Sequence, residues 1–420
     1  MLADIAPFKG IHFNYELNLK DIICPPYDVV DKNDIKMYLS RSPYNMIRLD
    51  VPYSYDSVRD TLLDWQKDGV LVKDDQDSFY VYREDYMFNG MLKSIIGVIC
   101  RVKLEPLSSN VILSHEETIG QAKNDRLKLM KSTFCNFSSI YSIYKDEDKS
   151  IYELISKVLE SDKLEVDITD HEEKRHRLWR ISDKDMVNNL VGKFVSKKLY
   201  IADGHHRYET ALSFKDWCNK NGIMAKGSEY TMMTLVDVDS SDITILPTHR
   251  LLSDLEHFNV NSLIESCKKY FEVYKVEDYQ SIISCMSKGK VYAKTILGLY
   301  AGSKGCYILE FSDYEKINTL LFNKSKAFKE LDVTVLQTLI LQDILGLEFT
   351  DGENKNVSYT RDTTKIIDSV NSGESQLAFL LNPVNIIDIY KITDLGDKMP
   401  PKTTYFYPKL TTGLIINQID

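Results

Sequence analysis

One stretch constrains this chain more than any other. Leu199-Tyr200-Ile201-Ala202 is a short apolar run that reads as a buried strand. It passes directly into Asp203-Gly204-His205-His206-Arg207, and then into a helical segment, Tyr208 to Asn219, that carries Leu212 and Trp217. Many phosphate-binding corners are built as strand, Asp-Gly turn and helix, because the free N–H groups and the positive dipole end of the helix point at one place. An anion docked there would also meet imidazole donors from His205 and His206 and the guanidinium fork of Arg207. Asp203 could orient a histidine, hold a metal or act as a base. It is equally a favoured N-cap, with the histidines on a solvated corner; residue types alone leave both readings open.

Three weaker clusters accompany it. His115-Glu116, with Asp125 and Arg126 shortly after, could supply a general acid/base and a phosphate clamp, or form the solvated face of a helix. Leu246-Pro247-Thr248-His249-Arg250 sets a His-Arg pair just after a buried strand, Tyr230 to Asp237. Near the end, Met399 to Lys409 is too rich in proline and aromatics for a tail and is expected to be ordered against the body. Within it, Lys402 follows two prolines and precedes two threonines, so a stiff backbone would aim its ammonium. It is therefore preferred over Lys409 as the lysine that completes the site begun at Asp203. No metal ligand is assigned, since no His-Glu-x-x-His spacing occurs; Mg2+ held jointly by a carboxylate and a phosphate is left open. Walker-type, Gly-x-Gly-x-x-Gly and Gly-x-Ser-x-Gly motifs are missing.

Composition bounds the rest. The 420 residues allow two or three domains, and 43% apolar with 27% charged residues is ordinary globular usage. There are 52 Lys+Arg against 62 Asp+Glu, and 52 − 62 gives −10. A field of that sign argues against nucleic acid and membrane as partners, and any anionic ligand needs a local basic pocket. No apolar run spans a bilayer, the first twenty residues lack a signal-peptide core, and the seven cysteines are scattered and odd in number. These features predict a cytoplasmic protein.

The expected class is mixed α+β. Residues 1–145 read as the N-terminal α/β part of a core, 146–254 as its continuation with the Asp-Gly-His-His-Arg turn, and 255–420 as a smaller α+β part whose terminal segment returns to the core. Strands are expected around Asn89-Gly90, with a connection longer than the shortest hairpin type. Asp332 is expected to cap a helix that runs through Leu345 and stops at Gly346.

Several segments together resemble the family catalogued as domain of unknown function 1015. They are Cys24-Pro25-Pro26-Tyr27-Asp28-Val29, Asn45 to Leu49, His115-Glu116-Glu117-Thr118 with Asp125 to Leu129, Ala202 to Leu212, Pro247 to Arg250 and Met399 to Lys409. Glu117 stands where arginine is the more frequent residue, which costs a positive charge; Thr403 replaces the usual serine and keeps the hydroxyl. The Asp-Gly-His-His-Arg core is also similar to the turn of the ParB/sulfiredoxin-like superfamily, which includes partition proteins and a free serine kinase. That resemblance implies a ParB/sulfiredoxin-like core with a mixed sheet, and phosphoryl chemistry on a small phosphorylated, amino-acid-type substrate. The expected activity is phosphoserine phosphatase in L-serine biosynthesis, or nucleotide-dependent serine kinase. His205 or His206 would be acid or nucleophile, Asp203, Glu116 or His115 base or orienter, and Gly204, Arg207, Arg126, Lys402, Arg250 and His249 would hold phosphate or substrate. A nucleotide is left open as a further ligand, and a homodimer as an assembly. The alternatives are a non-catalytic nucleotide-binding regulator of ParB-like type and a metal-dependent hydrolase.

Overall fold

A computed structural model describes residues 2–116, 120–291, 294–350 and 354–420. The chain divides into two units. The first takes residues 1–114, most of 119–244, and Pro408–Asp420; the second takes Ile245–Tyr407 together with His115 and Glu116.

The first unit is built on a nine-stranded mixed sheet. Its strands are β1 (Ile5–Ala6), β2 (Phe79–Phe88), β3 (Met91–Lys103), β4 (Ile112–Ser114), β5 (Ile140–Tyr144), β6 (Leu164–Thr169), β7 (Arg175–Ile181), β8 (Leu199–Asp203) and β9 (Tyr230–Asp237). They run in the order β4-β8-β5-β9-β3-β2-β7-β6, with β1 beside β3. The β4–β8 and β5–β9 pairs are parallel and the remaining pairs antiparallel. The β2–β3 hairpin corrects the expected longer connection. Both strands run on until Phe88 pairs with Met91, leaving only Asn89 and Gly90 in the turn at φ 51° and 76°. Positive φ at both positions is what the tightest, twist-matched hairpin turn requires.

Side chains alternate across this sheet. Val81, Val98, Cys100, Ile140, Ile201, Met233 and Leu235 pack under α1 (Lys184–Phe194) and α2 (His205–Lys220), meeting Leu190, Phe194, Tyr208, Ala211 and Phe214. Tyr82, Glu84, Tyr141, Thr234 and His176 alternate with those residues. Pro408–Asp420 lies within the same unit: Asn417–Gln418 pairs with Cys135–Asn136, and Thr412 and Ile416 exchange backbone hydrogen bonds with Cys24 and Ile11.

The second unit carries a six-stranded antiparallel sheet. Its strands β10 (His249–Leu252), β11 (Phe271–Val276), β12 (Ile296–Tyr300), β13 (Cys306–Phe311), β14 (Val357–Thr360) and β15 (Leu377–Leu380) are ordered β11-β13-β12-β15-β10-β14. Two expectations need correction. His249 and Arg250 follow the expected strand Tyr230–Asp237, but they lie in a strand of their own, with neighbours on both sides, rather than in a loop facing a cleft. Asp332 is the first helical residue rather than the cap, which is Leu331; its carboxylate accepts from the N–H and side-chain amide of Asn382, and the helix widens into a π-helix over Leu336–Ile344. A helix also runs over Tyr279–Val291. Among the described residues no helix is long and apolar enough to cross a membrane.

Candidate functional site

Strand β8 delivers Asp203 through an irregularity. Ile201 lies opposite Ser142, yet Asp203 lies opposite Tyr141, so two residues of β8 face one of β5. Strict alternation would set Asp203 with Ile201 on the core side; the bulge re-aims it. Gly204 follows at φ 92° as the N-cap residue, and α2 begins at His205. Only glycine suits this corner, because a Cβ would sit 2.9 Å from Arg207 Nε as well as straining the backbone.

Around that corner four charges alternate. Lys409 Nζ donates to Asp203 Oδ1. Arg207 Nη2 donates to Asp203 Oδ2 at 2.5 Å, and the same nitrogen lies 3.6 Å from Asp28 Oδ2. Arg207 Nη1 donates to the Ser139 carbonyl at 2.5 Å. The two carboxyls respond in opposite senses. Enclosure by protein pushes Asp28 up, reinforced by the Asp203 charge and opposed by Arg207 and Lys409. A third of its side-chain surface nonetheless stays open, as in a crevice. Burial also works to raise Asp203, but Lys409 and Arg207 outweigh it and hold this carboxyl below the usual range. Burial works to lower Arg207, and Asp28 and Asp203 more than restore it, so the guanidinium is firmly charged. Tyr27 is pushed up by burial and then by Asp28.

The other expected residues of this unit have different surroundings. Arg126 is nearly buried: Nη1 donates to the Asp50 carbonyl at 2.6 Å, Nε and Nη2 donate to Asp125 Oδ2 at 2.9 and 2.6 Å, and the guanidinium lies 4.1 Å from the Tyr27 ring centre. His205 Nδ1 is 3.0 Å from Ser114 Oγ, and His206 is partly buried in the first turn of α2.

His115, Glu116, His249, Arg250 and Lys402 belong to the second unit. His115 is fully buried, with Nε2 2.7 Å from Thr404 Oγ1. Glu116 Oε1 accepts from the Thr404 N–H and hydroxyl, both at 3.1 Å. His249 Nδ1 accepts the Leu381 N–H at 3.1 Å, and burial, helped by Arg250, pushes its pKa down to about 4. Arg250 is itself lowered to about 10 by burial, against the pull of Tyr359 and Glu116. It donates to the Thr248 carbonyl and, at 3.3 Å, to that of Lys402. Lys402 has φ 59° and an exposed side chain. The preference for Lys402 over Lys409 is thereby corrected, since Lys409 is the lysine bound to Asp203. Glu117 and its missing positive charge lie outside the described residues.

Sequence reasoning gave no role to Asp28, and it ranked Lys409 behind Lys402 among the lysines that could close over an anion. Asp28 had a signal, since it closes the stiff Cys24-Pro25-Pro26-Tyr27-Asp28 run. Among the described residues no three His, Cys, Asp or Glu side chains gather as a metal site.

With this geometry in hand, the chain can be assigned. It is a mixed α+β protein, and it belongs to the family described as "Protein of unknown function (DUF1015)", whose family model matches residues 5–334. Comparison with curated proteins gave no match. Among solved structures it is similar to free serine kinase in complex with AMP, at 13% identity and a TM-score of 0.36, over 77% of this chain and 91% of that one. A conserved hypothetical protein from Pyrococcus furiosus gives 14% and 0.35 over 76% and 94%, and C-terminally truncated SbnI from Staphylococcus aureus gives 8% and 0.36 over 76% and 87%. The likeness is distant in all three.

Proposed function

We propose that this protein transfers a phosphoryl group to the hydroxyl of a small metabolite, using the Asp28–Arg207–Asp203–Lys409 cluster. The observation that carries this reading is the split carboxyl pair on either side of Arg207, at the glycine corner where α2 begins. Two carboxyls driven in opposite directions by their surroundings mark an acid/base role and a fixed-charge role. Asp28, raised and partly open, is suited to accept a proton. Asp203, held ionised, fixes Arg207 and Lys409 at the start of α2, where phosphoryl oxygens would find backbone donors. As the bond from the acceptor oxygen to phosphorus forms, the bond to the leaving group breaks and the hydroxyl proton passes to Asp28.

The acceptor implied by the sequence resemblance is serine, with a nucleotide as donor; phosphoserine hydrolysis at the same cluster is the second reading. A divalent cation held by protein alone fits poorly, because Asp203 spends both oxygens on Lys409 and Arg207. The test is incubation with L-serine and each nucleoside triphosphate or diphosphate, followed by detection of phosphoserine. A parallel assay follows phosphate release from phosphoserine. Transfer that needs Asp28 supports the reading; release without any nucleotide would favour the hydrolase.

A further inference from the structure

A second titrating centre lies in the first unit, on strands β2 and β7, away from any role given to Asp28. Tyr82, Glu84 and His176 are almost wholly buried. The Tyr82 hydroxyl is 2.6 Å from Glu84 Oε2 and 2.8 Å from His176 Nδ1. His176 Nε2 is 3.0 Å from Asp170 Oδ2. Asp170 Oδ1 already accepts the N–H groups of Glu172 and Lys174, so this carboxylate is an acceptor on both oxygens. Glu84 Oε1 is buried with no hydrogen-bond partner.

These three contacts can be satisfied only with a fixed number of protons. Asp170 requires a proton on Nε2. A single hydroxyl proton on Tyr82 then serves either Glu84 or Nδ1, and the other contact sets two lone pairs face to face. One extra proton completes the chain in either of two arrangements. In the first, His176 is an imidazolium donating to Tyr82, which donates to ionised Glu84. In the second, protonated Glu84 donates to Tyr82, which donates to neutral His176. Both carry the same net charge. A second extra proton would have to sit on Oε1, where no acceptor waits. Leaving a buried pair unmade costs far more than a made bond contributes, so the singly loaded chain is strongly preferred.

We propose that Glu84, Tyr82, His176 and Asp170 form a buried site that binds one proton more than the same groups hold in the unfolded chain at alkaline pH, and that this proton locks the β6–β7 turn onto β2. The other titratable groups facing it are Lys174 from that turn, paired with Glu172, and Tyr141 from β5. Burial raises Glu84, with His176 and Tyr82 opposing, which agrees with a carboxyl that shares a proton. Because the folded site holds this proton, its stabilisation is present while the proton is bound and is lost as pH rises until the site releases it.

The test compares the full-length protein with Glu84→Gln. The amide donates to Tyr82 permanently, so all three contacts are made with neutral His176 and no extra proton. Above pH 6.5 the unfolding constant of the wild type should rise about tenfold more per pH unit than that of the variant, the signature of one linked proton. Parallel curves would overturn the proposal. Should Glu84→Gln fail to fold, the wild type decides alone. Carbon resonances of the Glu84 carboxyl and the His176 ring should shift in one shared step, and two separate steps would overturn the shared site.

Discussion

Lys409 and Asp203, 206 positions apart in the chain, are joined in an ion pair that closes the far side of the Arg207 clasp. Both side chains are largely withdrawn from water. Removing the carboxylate would strand two buried cations, and breaking such pairs from one side typically costs about 3–5 kcal/mol. Asp203→Asn should therefore lower unfolding free energy by roughly that amount in a denaturant titration. Lys402→Ala, at an exposed position, should stay within about 0.5 kcal/mol of wild type.

The end of the chain is structural before it is anything else. Leu410, Leu414, Ile415, Ile416 and Ile419 are buried in the first unit, and Arg101 donates to Asn417 and to the Gln418 carbonyl. Terminating the chain at Tyr407 should prevent this unit from folding, read as loss of its cooperative unfolding transition. A truncated chain that folds and lacks only activity would point to a detachable lid.

Gly204 offers a sharper test than chain ends. Alanine there meets both φ 92° and the Arg207 guanidinium, so Gly204→Ala should destabilise by more than about 1 kcal/mol and displace Arg207 from Asp203. Unaltered stability would mean that the corner relaxes freely.

His249 sets an acid limit. It is buried and neutral, with its pKa near 4 against an ordinary 6.5 in the unfolded chain. The folded form binds fewer protons, so this contribution is complete above pH 6.5 and declines as pH falls toward 4. The loss is about 3 kcal/mol at most. His249→Gln, which keeps an acceptor for the Leu381 N–H, should flatten that decline in thermal melts across pH 4–7.

Much of this organisation is legible in the residues. Leu199 to Ala202 and Tyr230 to Asp237 declare their strands by apolar β-rich runs, and the glycine after Asp203 declares the corner. What alternation does not reveal is the bulge that turns Asp203 away from Ile201, because a bulge depends on the partner strand. Asp28 and Lys409 meet Arg207 and Asp203 across long stretches of chain, so no local spacing could pair them. His249 and Arg250 looked like cleft residues because a polar pair after an apolar run suggests a loop. Their burial inside a central strand follows from β14 and β15, which lie more than 100 positions later.

The central claim is that Asp28 takes the proton of the attacking hydroxyl. Because burial raises this carboxyl above its ordinary range, transfer should increase with pH through that raised value, in the protonation window where Asp28 ionises. The decisive measurement is the rate of nucleotide-dependent phosphoserine formation from L-serine as a function of pH, in wild type and in Asp28→Asn. The rising limb should vanish in the variant, with a rate about 10²–10⁴-fold lower, while neutral-pH stability is maintained or improved because an ionised buried carboxyl has been removed. A folded Asp28→Asn protein that transfers phosphate at the wild-type rate, with the same pH profile, would contradict the account.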